Sequence, residues 1–365
     1  MRVASEKNIG YPGRRLVGKT LAAIPDQVRD RAGAVHDSAY VVDTVNRSLM
    51  DETFFRDIDV GRPTLLGRTI LVSSGEVFSP FGFTEALRDI AQTLAAIDVH
   101  ADRLLLVRSA KDIETAKRTG RTGLYIYFQS PEPLDTQGWR LRLFYELGLR
   151  MLQLTYNNRS LAGDGCAERT DSGLSEWGLR LVEECNRLGI ALDVSHSGYR
   201  TTMEAIEASR TPVLITHANA RTLCDNPRCK TDEQAQACAA RGGVIGVQAL
   251  PSFISAHDPR PTIEDMLDHL DHWVQLVGVD HVGLGLDFTN GHERDDYSLL
   301  GYKPEMYKNT WVGGVQQWIE GLGSLADLPN ITERLLKRGY SEADAGKIMG
   351  ANFVRVLGEI WSSRA

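Results

Sequence analysis

The sequence predicts an α/β protein of the (β/α)8 TIM-barrel class. A single domain is expected over residues 36–365, preceded by a helical N-terminal extension over residues 1–35. Three observations lead there. Eight short β-rich runs recur along the chain. They are near-continuous apolar stretches, the pattern of parallel strands covered on both faces. Amphipathic helical stretches separate them, so the eight βα alternations fall within about 250 residues, a spacing that suits a barrel better than an open sheet. No Gly-rich phosphate loop follows an early strand, as a doubly wound sheet would want: VDTVNRS follows the first run.

In order, the runs are AYVVDTV (39–45), TILVSS (69–74), GLYIYFQS (123–130) and RMLQLTYN (150–157). IALDVSHS (190–197), PVLITHA (212–218), GVIGVQAL (243–250) and HVGLGLDF (281–288) complete the set. Between them, SEWGLRLVEECNRLG (175–189) starts after Asp171 and Ser172 and stops at Gly189, with the chemistry expected of helix ends. TMEAIEASR (202–210) precedes Pro212, and TIEDMLDHLDHWVQLVG (262–278) has apolar residues at helical spacing up to Gly278. Residues 289–335, rich in Gly, Tyr, Trp and Asn, read as a long loop region. The tail 341–361 reads as a C-terminal helix interrupted near Gly350, with Ser341 and Asp344 forming a capping-box-like start.

Composition bounds the function. With 42% hydrophobic and 24% charged residues in 365, the chain is neither disordered nor fibrous. A net charge of −7, from interspersed acids and bases, argues against nucleic acid or an anionic membrane as partner. The five cysteines show neither a disulfide framework nor a CxxC pair. The N-terminus lacks a secretory apolar region, and no apolar run approaches the roughly 20 residues that span a bilayer. The expectation is a cytoplasmic protein.

Barrel enzymes carry their reacting groups at the C-terminal ends of the strands. Those ends supply Asp43, Asn46, Gln129, Tyr156, His196, His217, Gln248 and Asp287. Histidine is scarce, nine in all, yet two close adjacent strands 21 residues apart. Two imidazoles and the carboxylate of Asp287 at one barrel mouth suit a zinc site with a group that takes a proton from water. Of the others, His269 and His272 lie on a helix, His36 lies before the first strand and His281 begins the eighth at the wrong end.

DVSHSG, ITHANARTLCDNPRC, GVDHVGLGLDF and RGYSEADAGKIMGANFVRV closely resemble the renal or membrane dipeptidase family, peptidase family M19. LTYNNRSLAGDGCAERTDSGLSEWG resembles the stretch after strand four in its bacterial members, and the likeness runs from about residue 35 to 360. It implies a metal-dependent barrel of amidohydrolase type that hydrolyses dipeptides at a two-zinc centre. Carried over, His196 and His217 match the histidines of the second zinc site. Asp287 matches the aspartate that handles the water proton, and Arg228 the arginine that binds the substrate carboxylate.

The departures are specific. Where the family has a His-x-Asp pair for the first zinc, this chain has Val45 and Arg47. Where it has a bridging Glu, the chain has Gln129, and where a His contacts substrate it has Tyr156. Valine cannot ligate a metal, arginine brings a permanent positive charge, and a neutral amide cannot bridge two cations. At most one zinc is expected, on His196 and His217 with a third contact from Gln129 or Asp287. Arg47, Asn46, Tyr156 and Arg228 are expected to contact a small substrate bearing a carboxylate, and a homodimer is expected. Three readings stay open: a mononuclear hydrolase, a different reaction in the same pocket, and a non-catalytic binding relative.

Overall fold

The computed structural model describes residues 21, 23–70, 82–292, 304–312 and 315–364. Its centre is a curled sheet of parallel strands. In chain order these are β1 (Val42–Asn46), β2 (Leu65–Ile70), β3 (Leu104–Leu106), β4 (Thr122–Phe128) and β5 (Leu149–Gln153). They continue as β6 (Ala191–Asp193), β7 (Val213–Leu214), β8 (Ile245–Val247) and β9 (Val282–Leu284). Pairing runs β1-β2-β4-β5-β6-β7, with β3 attached to β4 and a separate parallel pair β8-β9. A bridge between Ile215 and Ile245 joins β7 to β8, and one between Asn46 and Phe288 joins the chain after β9 to β1.

The strands read as continuous apolar runs because both faces are buried. Along β4, Leu124, Ile126 and Phe128 enter one apolar cluster, while Tyr125 and Tyr127 enter another with Val42, Leu65, Met151 and Leu214. This is the period-two alternation of a strand with no solvent face. The tyrosines carry hydroxyls into the interior, and each is paired. Tyr127 Oη donates to Asp193 Oδ2 at 2.6 Å and Tyr125 Oη to the Thr44 carbonyl at 2.9 Å. Strand spacing in this interior depends on missing side chains. A Cβ on Gly246 or on Gly285 would lie 1.9 Å from the Thr216 carbonyl oxygen.

Helix ends follow their sequence signals. Ser175 accepts from the Gly178 amide to open Glu176–Leu188, and Gly189 closes it at φ 71°. Thr262 and Asp265 form a capping box for Ile263–Val277. Ser341 accepts from the Asp344 amide, and the tail is interrupted at Gly350, as its sequence suggested. A Cβ at Gly350 would lie 2.5 Å from the Tyr40 carbonyl oxygen.

Four expectations change. The second strand begins at Leu65, not Thr69, because the pairs to β1 and β4 take in Leu65 through Ile70; residues 71–74 lie outside the described ones. Leu104–Leu106 is an additional strand, too short to show periodicity. The expected loop 289–335 contains a hairpin, β10 (Trp311–Val312) with β11 (Val315–Gln316), and the helix Leu328–Lys337. The helix Asp26–Ser38 crosses the expected boundary at residue 35, and residues 1–20 lie outside the described ones. It packs on Leu328–Lys337, where His36 Nδ1 meets Thr332 Oγ1 at 2.9 Å. Among the described residues no helix is long and apolar enough to cross a membrane.

Candidate active site

Parallel strands place their C-terminal ends on one side, so side chains far apart in sequence meet there. His196 follows β6 and His217 follows β7, and their Nε2 atoms lie 2.9 Å apart. Gln129, after β4, brings its side-chain nitrogen to 3.3 Å from His217 Nε2. Tyr156, after β5, stacks on His196 with ring centroids 4.3 Å apart and planes at 21°. Arg47, after β1, and Asp287, after β9, line the same pocket as Gln129, Tyr156 and His196. Six of the eight residues expected to hold metal, contact substrate or take a proton are thus in or on one pocket. His217 meets it through the His196 and Gln129 contacts.

The other two are elsewhere. Asn46 is buried. It donates to Asp43 Oδ2 and accepts from the Ser48 amide, which shapes the end of β1. Arg228 is 1% exposed. Its terminal nitrogens donate to the Ser195 and His217 carbonyls at 2.8 Å each. A guanidinium committed to two main-chain carbonyls clamps the two histidine-bearing segments together. These two bonds use two of the five N–H donors of the guanidinium, and its Nε, also buried, has no hydrogen-bond partner, so the clamp leaves donors for the expected contact with a substrate carboxylate.

The site is electrostatically unusual. Burial holds both histidines well below their ordinary range, and Arg228 and Lys230 add to the effect. Burial pushes the Asp287 carboxyl up to about 7, against the opposing pull of Arg228 and Arg47. Asp287 also has φ 62° and Asn157 φ 60°, two of four non-glycine residues with positive φ among the described residues. Backbone strain of this kind concentrates at functional sites, where surrounding structure must hold it.

Sequence reasoning missed the far wall of the pocket. Leu250 and Phe253 line it from after β8, and Tyr307, Thr310, Trp311 and Gln316 line it from the segment read as loop. It also missed Asn157, whose side chain meets His196 Nδ1 at 2.7 Å and Tyr307 Oη at 2.8 Å. The Asn-Asn pair after β5 was the one local signal, since asparagine tolerates the left-handed region.

The donor set decides what metal could be held. Each imidazole is anchored through Nδ1, His196 to Asn157 Oδ1 and His217 to Thr216 Oγ1, both at 2.7 Å. Such anchoring orients the free Nε2 atoms of metal-ligating histidines. Two converging Nε2 atoms with a neighbouring amide fit one cation. Among the described residues no group of three His, Cys, Asp or Glu side chains is placed to hold a metal ion.

The profile described as "Membrane dipeptidase (Peptidase family M19)" matches residues 29–297 and 310–364. The chain is 26% identical over 281 residues to "Dipeptidase tcpJ" of Claviceps purpurea (strain 20.1), covering 75% of this chain and 60% of that protein. It is 28% identical over 274 residues to "Dipeptidase verJ" of Clonostachys rogersoniana, covering 74% and 63%. The matched region thus spans about three fifths of the length of those two relatives. Among solved structures, an amidohydrolase from Pseudomonas aeruginosa superposes with TM-score 0.82 at 32% identity, over 91% of this chain and 99% of that one. The probable dipeptidase PvdM from the same organism shares the fold, with TM-score 0.80 at 20% identity over 93% and 100%.

Proposed function

The chain belongs to the membrane dipeptidase family, peptidase family M19, and from that membership we propose a dipeptidase-like hydrolase with a remodelled, at most mononuclear metal site. Its substrate is an amide of a small amino-acid derivative bearing a carboxylate. The observation that carries the reading is the convergence of the His196 and His217 Nε2 atoms, 2.9 Å apart, on a pocket that Asp287 also lines. In this reading the bridges at Ile215–Ile245 and Asn46–Phe288 close the sheet into an eight-stranded barrel around the site. Five cysteines, all free, fit a reducing cytoplasm. A homodimer is the expected assembly.

His196 and His217 would hold one zinc ion, with Gln129 as a neutral third donor. When bound, the ion supplies Lewis-acid polarisation of the scissile carbonyl. Asp287, raised to about 7, is poised to take the proton of the attacking water and return it to the leaving amine nitrogen as the C–N bond breaks. Arg47, 7% exposed and lining the pocket, pairs with the substrate carboxylate. One observation favours a second reading, a metal-independent reaction on a small anionic metabolite. The ligand set lacks a third His or an anion beside the two imidazoles, and Arg47 introduces a positive charge.

Metal content and turnover separate the readings. Elemental analysis after mild dialysis should give one equivalent of zinc or less, and a dipeptide library should show turnover that a chelator abolishes. Two equivalents would end the mononuclear reading. Turnover indifferent to chelator would transfer the weight to the second. Silence across the library, with a metabolite co-purifying tightly, would sink both in favour of a binding protein.

Arg47 has its own test. Arg47→Ala should weaken an anionic dipeptide analogue by about 2–5 kcal/mol in calorimetry. The same analogue capped as an amide should lose little. Equal losses for both forms would remove Arg47 from carboxylate recognition.

A further inference from the structure

We propose that Asn157 selects the tautomer of His196, and that Tyr307 anchors the Asn157 amide at the pocket wall. The inference rests on the reading that His196 belongs to the reactive pocket. Asn157 is 0% exposed, and its backbone sits at φ 60°. Its own carbonyl accepts from the Ala167 amide at 2.8 Å, so the loop that follows holds it in this conformation. A Cβ on Gly165 would lie 2.1 Å from that same carbonyl oxygen, which shows how closely the loop returns. The side chain has little freedom except a half-turn of its amide.

That half-turn matters chemically. With Oδ1 facing His196 Nδ1 at 2.7 Å, the oxygen only accepts, so Nδ1 carries the ring hydrogen. His196 Nε2 then presents a lone pair towards His217 Nε2 and the pocket. With the amide reversed, Nδ2 would donate to Nδ1 and the hydrogen would move to Nε2, closing that lone pair. One neighbour favours the first arrangement, and a second anchors the amide. The Cys166 thiol donates to Oδ1 at 3.4 Å, and the Asn157 amide nitrogen donates to Tyr307 Oη at 2.8 Å.

Tyr307 comes from a segment 150 residues away in sequence. Its ring packs edge-on to Phe253 with centroids 5.1 Å apart, and both residues line the pocket. The far wall is therefore connected to the imidazole by two hydrogen bonds. Tyr156 holds the face of the ring while Asn157 holds its edge. Asn157 is a positioning residue: it acts through His196.

The tautomer can be read directly by ¹⁵N NMR of the metal-free full chain labelled at histidine, with His196→Gln used for assignment. The parent chain should show hydrogen on Nδ1 of His196, and Asn157→Asp, which keeps an acceptor and tolerates the backbone, should retain it. Asn157→Gly keeps the backbone conformation but removes the amide, and should shift His196 to a mixture or to Nε2–H. Tyr307→Phe, which removes only a hydroxyl, should give a partial shift in the same direction. Titration with Co²⁺ should show at least about a tenfold loss of affinity in Asn157→Gly and none in Asn157→Asp.

An Nε2–H tautomer in the parent chain would overturn the proposal. So would an unchanged tautomer and Co²⁺ affinity in Asn157→Gly. If the glycine variant does not fold, an unchanged His196 spectrum in Tyr307→Phe, together with unchanged Co²⁺ affinity, counts against the proposal. If the parent chain binds no Co²⁺, the metal reading of the site fails, while the spectra still decide the role of Asn157.

Discussion

Asp287→Asn is expected to lower turnover by roughly 10²–10⁴-fold, the share that a positioned general base supplies, while making the folded chain more stable at pH 8. The two effects share one cause. Burial raises the Asp287 carboxyl from 3.8 to about 7. A carboxyl that binds its proton more tightly in the folded state favours folding fully below about pH 4. That contribution is lost as pH rises from there through 7. An uncharged amide never incurs the loss, and asparagine accepts the left-handed backbone that Asp287 adopts. The stability difference between variant and parent should therefore grow between pH 4 and 7 and level off above. In the parent chain, turnover should rise with pH through about 7 as the base ionises. Thermal melts across this range, with initial rates beside them, check both halves. An Asp287→Asn variant that keeps its turnover would leave the pocket without its base.

Arg228→Ala is expected to cost roughly 3–6 kcal/mol of folding stability. Two buried carbonyls lose their donors, each at about 1–3 kcal/mol, and truncating a wholly buried side chain leaves a cavity. For a chain of this size that lowers the melting temperature by on the order of 10 °C. Arg228→Lys keeps the charge but cannot reach both the Ser195 and His217 carbonyls as a fork, so it should fall between. The same substitutions separate two roles for this arginine. A substrate ligand would change affinity and leave the melting temperature within about 2 °C, whereas a clamp moves the melting temperature first.

The parts of this architecture that could be read from sequence are those set by local pattern. Runs buried on both faces have no polar alternation, so the strands from β4 to β9 stood out as apolar blocks. Parallel strands then fix which end each polar residue occupies, which is why His196, Asp287 and Gln129 could be grouped from sequence alone. The short β3 has three residues and no period to detect. The hairpin β10–β11 supplies Trp311 and Gln316 to the pocket, yet nothing in its composition links it to a histidine more than a hundred residues earlier. Arg228 stood out by motif, but motif says nothing about the main-chain oxygens of Ser195 and His217 that its guanidinium also meets.

The meeting of the two ends of the sheet has a consequence for how the chain is made. The amide of Leu286 donates to Asp43 across 243 residues of sequence, and Asn46 bridges Phe288. At synthesis rates of roughly 5–20 residues per second, β1 leaves the ribosome on the order of 10–50 s before its last partner exists. Through that interval one edge of β1 is open, with unpaired backbone groups able to template the wrong strand. Maturation of the site thus waits on the segment that carries Leu286 and Phe288, and nascent chains are most exposed to mispairing until it emerges.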